Sequence, residues 1–153
     1  MRPRTLKEVA DRFGTDPDWD FHLRNFLDAF YACHGDRQAQ SAALADDPGR
    51  TGDARIDAFL GGVGEHLARR WVLAMPAWVR QDFRYLDTPM FLPDEEAIRG
   101  YLLGASPVAF RARLIFVGSD PLQRARFPYG DGTRTLPRDF PRRSGLAPGS
   151  GLP

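Results

Sequence analysis

The chain has 153 residues, enough for one domain with one modest core. Its 42% apolar content excludes wholesale disorder, and 21 basic against 20 acidic residues leave no global field to favour nucleic acid or an anionic membrane. Cys33 is the single cysteine, which excludes a disulfide scaffold.

MRPRTLKEVADRF lacks the apolar run of a signal peptide, and the longest apolar stretch, Trp71 to Val79, is interrupted by Pro76 and too short for a bilayer. The cytoplasm is the expected location. Every basic residue except Lys7 is an arginine, as an Arg-, Ala-, Gly- and Pro-rich coding bias would give.

Taken in chain order, the elements are helical. Thr5 and Glu8 form a T-x-x-E capping box that opens a short helix carrying Leu6, Val9, Ala10 and Phe13, and Gly14 ends it. Asp16-Pro17 places an N-cap before a first-turn proline, so a second helix is expected to start there. Trp19, Leu23, Phe26, Leu27, Phe30 and Tyr31 then recur at helical spacing. Asp36 starts an Ala-rich helix through about Leu44, and Asp46 to Gly52 reads as a loop.

Asp53 caps a long helix with the stripe Ile56, Phe59, Leu60, Val63, Leu67 and Trp71. Gly61, Gly62 and Gly64 interrupt it, so either a neighbour packs closely there or the helix is soft. Residues 72–93 combine three prolines with Trp78, Phe83, Tyr85, Leu86, Met90 and Phe91, the composition of an ordered aromatic-rich connection. The acids at 94–96 start a helix with Ile98, Tyr101 and Leu102 inward. Ser106-Pro107 starts another, with Phe110 and Leu114 a turn apart, and Ile115 to Val117 fits a helix end or a short strand.

The expected architecture is a mainly α, single compact multi-helix domain over 1–127, with a disordered Pro/Gly-rich tail at 128–153.

Chemical signatures are sparse. Asp16, Asp18 and Asp20 open like a calcium loop, but Phe21 stands where glycine must turn and Leu27 where a bidentate glutamate must bind. Cys33-His34 has no second cysteine at zinc spacing and no orienting third group for a nucleophile. GGVGEH lacks the lysine of a phosphate loop, and no G-x-S-x-G elbow occurs. The pattern points away from an enzyme and from any cofactor or metal.

The order FLDAFY, RIDAFLGGVGEHLARRW, PAWV, YLD, MF and SPVAFRARLIFVGSDPL resembles a small helical family found mainly in actinobacteria. Its members occur alone beside nucleotidyltransferase-like toxin genes, or behind an Xre-type helix-turn-helix domain. The likeness runs from about Leu6 to Leu122, and S-P-x-A-F-R-x-R-x-x-F-V is its most specific piece. This chain departs at Leu114, where members commonly have a polar residue, and in its triple glycine. The resemblance implies no catalytic residues. It implies a non-enzymatic interaction module, the antitoxin-like partner of a separately encoded toxin.

Interfaces of that kind rest on aromatic and arginine anchors, which makes Trp71, Trp78, Tyr85, Phe91, Arg111 and Arg113 the candidate partner-binding residues. The competing reading is that these aromatics fill the core and the arginines hold loops. Arg111 and Arg113 cannot face the same way on a helix, so at least one is expected to be structural. Two other classes stay open: a regulator or accessory subunit touching DNA through the paired arginines, and a small enzyme with an unrecognised site.

Overall fold

A computed structural model describes residues 1–124. The expectation of a disordered tail at 128–153, and the last three residues of the 1–127 domain, lie outside the described residues. Within them the protein is mainly α-helical. Helix α1 is Leu6–Phe13, with the Thr5 hydroxyl accepting from the Glu8 N–H at 3.1 Å. The Glu8 carboxylate accepts from the Arg4 N–H, one residue earlier than a reciprocal box requires.

Helix α2 is Trp19–Ala32, and its cap is Asp18 rather than Asp16. Asp16 instead accepts from the Asp18 N–H, and its other oxygen lies 3.0 Å from His22 Nε2. Pro17 therefore precedes the helix and does not enter its first turn. The expected stripe from Leu23 to Tyr31 is buried.

Helix α3, Arg37–Ala45, is capped by Asp36, and α4, Ala54–Arg70, by Asp53. Every residue of α4 from Ile56 to Ala68 is buried, so this helix is not amphipathic but forms the axis of the domain. The glycines are the reason it can be enclosed. A Cβ on Gly62 would lie 2.6 Å from the Phe110 ring, one on Gly64 2.7 Å from the Trp78 ring, and one on Gly61 2.9 Å from Arg113 Nε. Close packing, not softness, explains the triplet.

The end of α4 has an unusual residue. The Leu73 N–H donates to Ala68 O at 2.8 Å and the Val72 N–H to Arg69 O at 3.3 Å, the two bonds of a Schellman turn. Such a turn needs a left-handed residue, and here it is Val72 with φ 56°, where glycine is the usual occupant.

The aromatic-rich connection is ordered as expected. It forms 3₁₀ turns at Ala77–Arg80 and Asp82–Arg84 and then the short strand β1, Met90–Phe91. After a 3₁₀ turn at Glu96–Ile98 come α5, Arg99–Ala105, and α6, Val108–Arg111, which stops short of Leu114: that residue was expected on the helix but takes a left-handed φ of 62°. Strand β2, Ile115–Phe116, pairs with β1 in parallel. The strand alternative for that apolar run is the one realised.

Two expectations for this region need correcting. On α5 only Leu102 is buried; Tyr101 is 62% exposed and Ile98 half-buried. Ser106 does not cap α6: its hydroxyl lies 2.6 Å from Leu102 O and accepts from the Val117 N–H at 2.9 Å, tying α5 to the end of β2.

Candidate partner-binding surface

Among the described residues two arginines form buried clasps, and the others are half-buried or exposed. Arg113 is completely enclosed. Its guanidinium donates to Glu65 Oε1 at 2.8 Å, to Ala109 O at 2.7 Å and to Val79 O, and lies 4.6 Å from the Tyr85 ring centre. Glu65 also receives Arg69 at 2.8 Å. Burial works to raise the Glu65 carboxyl, but the bonds from Arg113 and Arg69 outweigh it and hold it below the usual carboxylate range.

Arg84, equally enclosed, donates to Asp47 at 3.0 Å, Gly49 O at 3.0 Å and Asp57 O at 3.2 Å, and it sits over the Phe83 and Trp78 rings. It fastens the α3–α4 loop to the aromatic connection. No periodicity in the sequence marks Arg84, which the sequence reasoning missed.

The six candidate anchors are thereby scattered. Arg113, Trp71 and Trp78 belong to the interior and present no face to a partner. Trp71 packs on Phe30 and Tyr31, while the Trp78 indole donates to Leu44 O at 2.8 Å. Tyr85 is half-buried beneath Arg113. Phe91 is half-buried and stacks on Phe116 with ring centres 5.1 Å apart. Arg111 alone is exposed, and it donates to Ser106 O at 2.6 Å. The physical reason is spacing: Arg111 and Arg113 are two residues apart, so burying one turns the other outward.

The other paired arginines are also engaged. Arg69 binds Glu65 at 2.8 Å, and Arg124 binds Asp28 at 2.8 Å. Arg126 lies outside the described residues.

Two apolar grooves meet at Leu92, which is 39% exposed and lines both. The first, about 400 Å³, runs between α2 and the segment after β2, floored by Trp19, Leu23, Leu27, Phe59 and Val117. The second, about 690 Å³, flanks β1 and is lined by Leu86, Met90 and Phe91, with Arg55, Asp87, Asp94 and Arg99 around it. Arg99 is held by Asp94 at 2.7 Å and lies 4.8 Å from the Phe91 ring centre. Of the candidate anchors, only Phe91 lines this trough. Trp19 was legible only as part of a core stripe, and Leu92 carried no signal apart from standing before a proline.

Among the described residues no histidine lines either groove; the charged residues there are Asp20, Arg24 and Arg124 in the first and Arg55, Asp87, Asp94 and Arg99 in the second. His66 is buried beside Phe110, and burial, helped by the Arg70 charge, pushes its pKa down to about 4. Among the described residues no group of three or more His, Cys, Asp or Glu is arranged to hold a metal ion, and no helix is long and apolar enough to cross a membrane. Compared with protein-family models, with curated proteins and with solved structures, the chain matches none of them.

Proposed function

We propose that the protein is a non-enzymatic interaction module, the neutralising partner of a separately encoded, nucleotidyltransferase-like toxin in the cytoplasm. The observation that carries this reading is the open apolar trough joined at Leu92, set in a domain whose buried charges are spent on internal clasps. Apolar concavities with a polar rim suit protein docking, whereas catalysis calls for polar groups that converge in the cavity. The resemblance of its motif order to a toxin-associated family is the reason for choosing that partner.

The test is co-expression. The protein should relieve growth arrest by the product of the adjacent gene and co-purify with it. Leu92→Asp, which places a charge at the meeting point of the two grooves, should abolish rescue while the protein remains folded by circular dichroism. Absence of both rescue and co-purification would end this reading.

A further inference from the structure

Among the described residues the outer edge of β1, a strand that lines the second groove, is unpaired. Met90 N–H donates to Leu114 O at 2.8 Å and Leu92 N–H to Phe116 O at 2.9 Å. Successive residues of a parallel ladder direct their backbone groups to opposite sides, so Phe91, between them, turns its N–H and C=O away from β2. Outside the β1–β2 ladder, no hydrogen bond of the Phe91 N–H is found among the described residues. Pro89 and Pro93 stand two residues to either side and have no N–H to offer. The outward edge therefore presents one donor at one register, which admits a single extended segment and discourages sheet growth.

A second observation comes from α4. Arg55 lines the same groove, is exposed, and has no carboxylate within ion-pair reach among the described residues. It sits in the first turn of its helix, where a cation opposes the helix dipole, so helix stability does not account for it. The other cation of the rim, Arg99, is already taken by Asp94.

From these we infer that the outer edge of β1 is a strand-addition site for an extended apolar segment of the partner protein, carrying an acidic side chain opposite Arg55. Main-chain pairing at Phe91 would set the register, and the floor of Leu86, Met90 and Phe91 would take an apolar side chain. The inference rests on the partner-binding reading above and adds to it the face, the conformation and the charge of what binds.

The experiment is hydrogen exchange on the full chain, alone and with the purified product of the adjacent gene. Binding should slow exchange of the Phe91 amide at least tenfold. Arg55→Glu should weaken the complex at least tenfold, read by titration calorimetry, without lowering the melting temperature of the free protein. A complex that leaves Phe91 exchange unchanged overturns the strand-addition site while the partner reading stands. Protection of Phe91 with an Arg55→Glu affinity equal to wild type overturns the acidic side chain. Failure to form any complex overturns this inference and the partner reading together.

Discussion

Arg113 and Glu65 meet at 2.8 Å inside the protein, 48 residues apart in sequence, with the arginine side chain fully enclosed and the glutamate side chain 5% exposed. Arg113 also grips main-chain oxygens of Val79 and Ala109, so one guanidinium joins α4, α6 and the first 3₁₀ turn of the aromatic connection. Removing Arg113 leaves the buried Glu65 with Arg69 as its remaining cation and leaves the Val79 and Ala109 carbonyls without their donor.

Arg113→Ala should therefore cost about 3–5 kcal/mol and sharply lower soluble yield. Arg111→Ala, which loses one part-buried bond from an exposed side chain to a carbonyl, should cost about 1 kcal/mol or less. Urea denaturation of the two variants checks the contrast. Equal stabilities would mean that Arg113 is not the clasp described above. A double substitution at both positions reports on folding, so any loss of partner binding must be read from Arg111→Ala alone.

Gly62→Ala should destabilise by about 1–3 kcal/mol, because its new methyl would meet the Phe110 ring at 2.6 Å. The gain in helix propensity is smaller, at most about 1 kcal/mol. Gly100→Ala is the control: nothing lies within 4 Å of its added Cβ, and it should stabilise α5 by about 0.4–1 kcal/mol. Thermal melts decide, and a stabilising Gly62→Ala would contradict the packing. The loss should shrink in a Phe110→Leu background, since the two positions share one volume.

Val72→Gly should raise the melting temperature by about 2–4 °C, corresponding to relief of about 1 kcal/mol from a β-branched residue held at φ 56°. The side chain is exposed, so little packing is lost. An unchanged or lower melting temperature would show that the left-handed turn is not under strain.

His66 sets a pH dependence. Its pKa is about 4 in the folded chain and its ordinary value is 6.5, so between those limits the unfolded chain binds a proton that the folded chain does not. Stability should thus be unaffected above about pH 6.5 and fall as pH drops toward 4, by about 3 kcal/mol in all. The Glu65 and Asp47 carboxyls, both held low, add their losses below their ordinary values of 4.5 and 3.8. His66→Phe should flatten the curve between pH 6.5 and 4.5. Urea midpoints measured across that range supply the check.

Much of the helical scaffold was legible because its signals are local. Caps at Thr5, Asp36 and Asp53 act within one turn, and the α2 stripe repeats every three or four residues. Asp16-Pro17 misled by two residues because Asp18 offered an equally good oxygen closer to Trp19. Exposed Tyr101 was misplaced because a seven-residue helix packed on one small sheet buries only Leu102. The surface was harder to read than the fold. Arg84 and Arg113 differ from exposed arginines mainly through carbonyls and acids 27–48 residues distant, which no local pattern can announce. Phe91 stood out as an aromatic, but the open edge beside it depends on pairing with a strand 25 residues further along.

The enclosure of α4 also bears on how the chain is made. A helix buried from Ile56 to Ala68 has no solvent face, and the groups that cover its glycines are Trp78, Val79, Arg84, Phe110 and Arg113, all later in the chain. During synthesis α4 must leave the ribosome before its wrapping does. For some forty residues of elongation the face that Phe110 and Arg113 will cover is unshielded, the interval in which a nascent chain is most prone to aggregate or to need a chaperone.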